Sequence, residues 1–272
     1  MESTHLASIL FSVVSSLAFA TVALAISRRE VSTPMRGANR AFVVWWAGLG
    51  ASTFLTGIAT ALAVVGYTPL PLYQALELVR IFLVCLALWG LLHYLLVLIA
   101  GWQGMAWPLG ILYTLLAGYL AWNLLAQSPD HVELGSWVAT LEPTADAQGA
   151  QLVLLLALIV GPQFLAALAY LALYFRVDDP LAKRRILIVS LSILIWFGAA
   201  IAAALGNVAG SNTWQLASRL LGLGAAAAIL YAYVGMGPSL GAAARESAQG
   251  GPGTEAAPRP PQGFASFLPS VV

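Results

Sequence analysis

The chain has 272 residues, of which 60% are hydrophobic and 8% are charged, and its formal net charge is +1. Soluble domains carry about 25% charged residues, so this chain has too few charges to cover a water-facing surface. The composition therefore excludes a soluble globular protein and predicts an all-α membrane protein, a bundle of transmembrane helices in contact with the lipid bilayer.

From the amino terminus onward, seven stretches are long and apolar enough to cross the hydrocarbon core, which needs about 20 residues. They span residues 6–27, 41–66, 71–100, 105–126, 151–175, 186–206 and 213–236. The segment before the first stretch contains Glu2 and no basic residue, whereas a signal peptide requires a basic start. The sequence therefore predicts a seven-helix transmembrane domain over residues 1–236, with an uncleaved first helix.

Basic residues are confined to alternate connections between these spans. The connections after the first and fifth spans and the tail after the seventh contain ten of them, and the connections after the second, fourth and sixth contain none. By the positive-inside rule the amino terminus is outside and the carboxyl terminus is cytoplasmic. We expect a multi-pass protein of the bacterial cytoplasmic (inner) membrane. The ten residues are Arg28, Arg29, Arg36, Arg40, Arg176, Lys183, Arg184, Arg185, Arg245 and Arg259.

Two segments stand apart from the spans. The acidic connection 127–150 is the longest on the predicted outer side, and we expect it to form a short helix or a lid. The end of the chain, residues 237–272, is rich in Gly, Ala and Pro. Such a composition cannot bury a core, so the sequence predicts a disordered cytoplasmic tail.

Residues that hold the common membrane cofactors are scarce. A retinal Schiff base needs a lysine inside the bundle, and the single lysine, Lys183, stands beside Arg184 and Arg185. A haem with two histidine ligands needs more than His93, the one histidine within a span. We expect no cofactor and no nucleic-acid partner. The sequence also favours a non-enzyme, since no acidic metal cluster, histidine box or nucleophile–base pair lies within the spans.

Three charged residues fall inside predicted spans, namely Glu77, Arg80 and Arg219. At 1.5 Å per residue they lie roughly 9, 13 and 9 Å below the outer ends of their spans. Charges at membrane depth are costly, and they usually face the bundle interior in pairs. Glu77 and Arg80 share a helix face at a spacing of three residues, so we treat this depth as the candidate site.

Two arrangements of these charges fit the sequence. Glu77 pairs with Arg80 and leaves Arg219 as an unpaired cation, or Glu77 bridges both arginines. Either way one positive charge remains, and a small anionic ligand or a lipid head group would balance it. The competing interpretation is a structural ion-pair network near the interface, with the arginine side chains reaching up to water.

Polar side chains occur at the same depth on several spans, and one more lies near the midplane after Pro162. Together they suggest a polar crevice that opens outward. Interfacial aromatic belts account for single Trp and Tyr residues there equally well. The candidate ligand-binding set is Glu77, Arg80, Arg219, Gln74, Tyr73, Gln215, Asn123 and Gln163.

The segment Phe175–Ile186, FRVDDPLAKRRI, resembles the inner loop of the seven-helix sensory regions that precede bacterial histidine kinases. This resemblance implies a sensory or receptor-like membrane protein. Because a short tail follows the seventh span and not a kinase domain, we expect the signal to pass to a separate membrane or cytoplasmic protein. The alternatives are an accessory or structural subunit of a membrane complex and, second, a transporter or permease.

Overall fold

The computed structural model describes residues 3–29, 35–126, 129, 131–135, 137, 139–141, 156–209 and 212–236. Within them the chain forms seven α-helices, as the sequence predicts. Two π-helical turns, Leu156–Val160 and Tyr231–Gly235, precede α5 and follow α7. The predicted tail 237–272 lies outside the described residues. The helices are α1 Ser3–Ser27, α2 Arg36–Val64, α3 Leu70–Ala100, α4 Ala106–Ala126, α5 Gly161–Tyr174, α6 Pro180–Ala209 and α7 Asn212–Leu230.

Six of the helices, all except α5, are long and apolar enough to cross a membrane. The apolar segment that contains α5 runs over Leu158–Tyr174, and residues 151–155 of the predicted fifth span lie outside the described residues. Large apolar side chains such as Leu17, Phe82 and Leu115 are exposed on the outside of the bundle. These features define an integral membrane protein whose outer surface contacts lipid.

The helices pack as a ring. α1 contacts α2 and α7, α2 contacts α3, α3 contacts α5, α5 contacts α6, and α6 contacts α7, while α4 packs on the outside against α3. We call the end of the bundle that holds the start of α1 the His5 end. The opposite end, where α1 finishes and α2 begins, is the Arg29 end.

The tightest core lies in the half of the bundle toward the Arg29 end. The Phe42 ring stacks on Tyr94 with centroids 4.2 Å apart, and Phe19 packs between Trp46 and Trp196. Rings from α1, α2, α3 and α6 therefore meet in one cluster, which Tyr170 of α5 extends. Buried aromatic contacts of this kind fix the relative positions of the helices.

A short hairpin follows α4 where the sequence predicts a short helix or a lid. The strands β1, Val132–Leu134, and β2, Ala139–Leu141, pair antiparallel and pack against α2. The Nε2 atom of His5 lies 3.0 Å from the carbonyl oxygen of Gly135. A short helix is therefore wrong for this part of the connection, which covers the His5 ends of α1 and α2 as a hairpin.

The sixth helix begins earlier than its apolar stretch, at Pro180 and not near residue 186. The side chain of Asp179 accepts a hydrogen bond from the backbone N–H of Leu181 at 3.0 Å, which caps the helix, and proline is favoured at the first helical position. Lys183, Arg184 and Arg185 are thus residues of α6. Their earlier assignment to a loop is corrected, because the cap and the proline override the hydropathy boundary.

Pro162 lies just after a π-helical turn, and the backbone hydrogen bond that it cannot make has a specific replacement. Proline has no N–H to donate to the carbonyl of the residue four positions earlier, which is Leu158. The Tyr113 hydroxyl of α4 donates a hydrogen bond to that carbonyl at 3.1 Å. The regular helix α5 begins at Gly161, directly after the π-helical turn. Tyr113 therefore compensates for the hydrogen bond that Pro162 removes.

We expect Tyr113→Phe to lower the free energy of unfolding in detergent by about 1 kcal/mol, because it leaves the partly buried Leu158 carbonyl without this donor. The effect should depend on Pro162. In a Pro162→Ala background, residue 162 regains an N–H that can bond Leu158, so Tyr113→Phe should then cost less. A double-mutant cycle measured by chemical denaturation tests this coupling. Equal losses in the two backgrounds would contradict it.

Candidate functional site

The first part of the site is an ion pair on α3. The Nη2 atom of Arg80 donates a hydrogen bond to Oε1 of Glu77 at 2.6 Å, one helical turn away. The two side chains remain partly exposed, Arg80 at 40% and Glu77 at 28%. Val79 and Phe82 are exposed on the opposite side of the helix. The ion pair thus lies on the face of α3 that points away from the surrounding lipid.

The second part of the site is Arg219 on α7. Helical spacing places Arg219 on one face with Gln215, Gly222 and Ala226, and Ala226 is fully buried in the bundle. Leu220 and Leu221, on another face, are exposed. Among the described residues, no carboxylate lies within ion-pair distance of Arg219.

The structure therefore contains the first of the two predicted arrangements. Glu77 pairs with Arg80, and Arg219 remains a second cation across the ring from them. The three side chains together carry one excess positive charge. Like charges at this depth repel one another more strongly than in water, so the arrangement favours an anion between α3 and α7.

Packing is looser around these charges than at the Arg29 end. Every residue of α3 from 74 to 84 is at least partly exposed, whereas most residues from 85 to 98 are buried. The same change occurs along α7, where residues 213–221 are all partly or fully exposed and buried positions begin at Gly222. A helix packed on one side alternates buried and exposed positions. Both segments are therefore less closely packed than the halves of the same helices toward the Arg29 end.

The two predicted glutamines near the charged residues, Gln215 and Gln74, differ in their burial. Gln215 lies one turn from Arg219, and its Oε1 atom is buried with no hydrogen-bond partner among the described residues. Its backbone packs against Gly206, where a Cβ atom would lie 3.1 Å from the Gln215 nitrogen. Gln74 is partly exposed, on the turn of α3 before Glu77. Gln215 is thus the amide best placed beside the Arg219 guanidinium.

Three other predicted residues bond to nearby backbone. The Tyr73 hydroxyl donates to the Ala59 carbonyl at 2.8 Å and holds the turn between α2 and α3. The Nδ2 atom of Asn123 donates to Tyr119 at 3.0 Å, and Nε2 of Gln163 donates to Ile159 at 3.0 Å. The structure does not bring these side chains together with the charged group, and their ligand-binding role stays a prediction.

The sequence treats the basic residues at the Arg29 end as topology markers alone, and the structure gives several of them specific contacts. Arg185 is 3% exposed and bonds two backbone carbonyls of the π-helical turn after α7. The Arg29 guanidinium lies 4.9 Å above the centre of the Tyr233 ring. Nothing in the hydropathy pattern distinguishes these two arginines from their exposed neighbours.

In the part of the chain that the structure describes, no group of three or more His, Cys, Asp or Glu side chains comes together to hold a metal ion. The chemistry that the site does offer is recognition of an anion by guanidinium and amide groups. No known protein-family model matches the sequence, and comparison with curated proteins gives no significant match.

Proposed function

We propose that the protein is a sensory, receptor-like membrane protein that binds a small anionic amphiphile between α3 and α7. The observation that carries this proposal is that Glu77 pairs with Arg80 at 2.6 Å, whereas no carboxylate among the described residues lies within ion-pair distance of Arg219. A carboxylate or phosphate group of a ligand would accept charge-assisted hydrogen bonds from Arg219. The apolar part of the ligand would lie in the loosely packed half of the bundle.

In this proposal the amino terminus is outside and the carboxyl terminus is in the cytoplasm of a bacterial cell. The distribution of basic residues supports that orientation, and it places the anion site near the outer surface. α3 and α7 contact each other little and lie on opposite parts of the ring. An anion that binds both arginines would stabilise the conformation in which the two helices are closer, and a separate protein would read that change.

The proposal is favoured over a transporter by the positions of the helix breaks. Transporters commonly interrupt corresponding helices of two repeats at the same membrane depth. Here the first π-helical turn precedes α5 and is separated from the Arg29 end of the bundle by the 14 residues of that helix. The second π-helical turn follows α7 and lies at the Arg29 end. The two turns are therefore at different depths. An accessory subunit would use the same excess positive charge to bind a carboxylate of a partner protein. A receptor, by contrast, would respond to a soluble anion, and this response distinguishes the two functions.

We expect octanoate to raise the thermal unfolding temperature of the protein in neutral detergent more than 1-octanol, which has the same chain without the carboxylate. Arg219→Gln should weaken octanoate binding by about 10- to 100-fold, because hydrogen bonds between charged groups contribute about 1.5–3 kcal/mol. Glu77→Gln should strengthen it by about tenfold, because Arg80 is then no longer neutralised.

The matched control is Arg176→Gln, which removes an exposed arginine near the Arg29 end and should leave the octanoate response unchanged. Opposite effects of Arg219→Gln and Glu77→Gln are the signature of an anion site, and a general loss of stability cannot produce them. If octanoate and octanol act alike on the unmodified protein, or if Glu77→Gln weakens the octanoate response, the receptor proposal is wrong.

A further inference from the structure

A second concentration of positive charge lies at the Arg29 end of the bundle, far from the site between α3 and α7. The end of α1 and the start of α2 border a partly open cavity of about 730 Å³. Ligand cavities generally measure about 300–1,000 Å³, so this one is large enough for a small molecule or a lipid head group. Its polar lining consists of Ser27, Arg29, Arg36, Asn39 and Arg40, and two valines complete it.

The arginines of this cavity are placed where a helix disfavours them. Arg36 is the first residue of α2 and Arg40 is one turn further on, and the first turn has no acidic residue and no side-chain cap. The start of a helix carries a partial positive charge and unpaired N–H groups. Arg36 in the first turn is unfavourable to the helix dipole, and an anion would interact favourably with both arginines and with the dipole.

Two of the lining residues are held in position by contacts with other helices. The Arg29 guanidinium packs over the Tyr233 ring, in the π-helical turn after α7. The Nδ2 atom of Asn39, which is buried, donates to the carbonyl oxygen of Ile26 in α1 at 3.4 Å. The cavity is therefore lined by the end of α1 and the start of α2, and Tyr233 after α7 holds one of its arginines in place.

The local charge balance also favours an anion. Residues 28–40 contain four arginines and one acidic residue, Glu30, so this connection keeps a net charge of +3 with the acid counted. Arg36 and Arg40 are exposed, which leaves their N–H groups accessible. Guanidinium groups bind phosphate oxygens in a bidentate manner.

We propose that this cavity binds a phosphate group, carried by a phospholipid head group or by a small soluble molecule, through Arg36 and Arg40. The two sources share the same chemistry at the site. The inference does not depend on the receptor proposal, because it uses different residues at the opposite end of the bundle.

The test measures thermal unfolding of the full chain in neutral detergent with three probes. These are inorganic phosphate, short-chain phosphatidylglycerol, and short-chain phosphatidylcholine as the lipid of no net charge. Stabilisation by phosphate and phosphatidylglycerol, greater than by phosphatidylcholine, supports the site. A response to phosphatidylglycerol alone identifies a lipid head group, and a response to phosphate alone identifies a soluble ligand. No response to either overturns the proposal.

Variants separate a built site from general attraction to a basic surface. Arg36→Gln combined with Arg40→Gln should reduce the affinity for the responding probe by at least about tenfold. Arg28→Gln is the matched control, because Arg28 is exposed in the same connection and does not line the cavity. An equal loss in Arg28→Gln would contradict the proposal. Arg40→Lys keeps the positive charge but replaces the planar guanidinium, which can donate two parallel hydrogen bonds, with an ammonium group. It should therefore give an affinity for the responding probe between those of the unmodified protein and the double variant.

Because Arg219→Gln is expected to alter octanoate binding and leave phosphate binding intact, the two proposals fail independently. The cavity variants should correspondingly leave the octanoate response unchanged. If Arg219→Gln removed both responses, the phosphate effect would arise from the site between α3 and α7, and the cavity proposal would be wrong.

Discussion

Replacing Arg185 with methionine is expected to lower the free energy of unfolding by about 3 kcal/mol, because each buried group left without its charged hydrogen-bond partner costs about 1–3 kcal/mol. The Nε atom of Arg185 donates to the Ala232 carbonyl at 3.0 Å, and Nη2 donates to Met236 at 3.2 Å. The Ala232 and Met236 carbonyls lie at the end of the helical segment that continues from α7, and the last carbonyls of a helix lack intrahelical donors. A cation there also interacts favourably with the helix dipole.

The neighbouring Arg184 supplies a control of the same residue type on the same helix. Arg184 is exposed, so Arg184→Met should change stability by less than about 0.5 kcal/mol, as is usual for surface substitutions. Arg185→Lys should lie between the two, because one ammonium group cannot reproduce the guanidinium's fixed pair of donors. Denaturant titration of the purified variants in one detergent measures all three. A loss in Arg184→Met as large as in Arg185→Met would contradict this role.

The contrast between Arg184 and Arg185 shows why sequence reasoning found the helices more easily than their contacts. Charge counting treats Lys183, Arg184 and Arg185 as one basic group. The rotation of α6 about its axis decides which of the three side chains faces the bundle interior. The helix start at Asp179 and Pro180 sets that rotation. The Asp-Pro pair was a readable helix-start signal, and it predicts the boundary better than hydropathy does.

Other features lacked a readable signal. The strands of the hairpin are three residues each, too short for an alternating pattern to stand out from a polar connection. Pro162 predicts a break in its helix, but the partner that compensates for it, Tyr113, is distant in the chain. Such pairings depend on which helices become neighbours, and one sequence does not encode that in a local pattern.

The charged residues of the candidate site were predictable because helical spacing alone brings Glu77 and Arg80 together. Tyr73 and Gln163 looked equally suited to a crevice on grounds of depth and polarity. The Tyr73 hydroxyl and the Gln163 amide nitrogen donate to backbone carbonyls, while Oε1 of Gln163 is buried with no hydrogen-bond partner among the described residues, and depth does not reveal these contacts. The cavity between α1 and α2 has no sequence signal of its own, because membrane topology already accounts for Arg29, Arg36 and Arg40.

The close contact of α3 with α2 at Gly90 gives the second large prediction, a strong destabilisation by Gly90→Ala. A Cβ atom at Gly90 of α3 would overlap the carbonyl oxygen of Ala41 in α2 and would lie 3.1 Å from the Trp45 nitrogen. These are backbone atoms, so no side-chain rotation relieves the overlap, and α2 and α3 must separate. Overpacking of a tight core costs about 1–3 kcal/mol, and we expect about 3 kcal/mol here, because the separation also disturbs the buried Trp45 and Tyr94.

Two other glycines serve as comparisons for the expected destabilisation by Gly90→Ala. At Gly48 a Cβ atom would lie 2.9 Å from the Ala87 Cβ and 3.0 Å from the Leu83 carbonyl oxygen, so Gly48→Ala should cost less than Gly90→Ala. At the exposed Gly118 of α4 nothing lies within 4 Å, and Gly118→Ala should be neutral or stabilising because alanine favours helix. The expected order of thermal stability is therefore Gly118→Ala, Gly48→Ala, Gly90→Ala, from highest to lowest. If Gly90→Ala proved as stable as Gly118→Ala, α2 and α3 would not cross in direct backbone contact at this position.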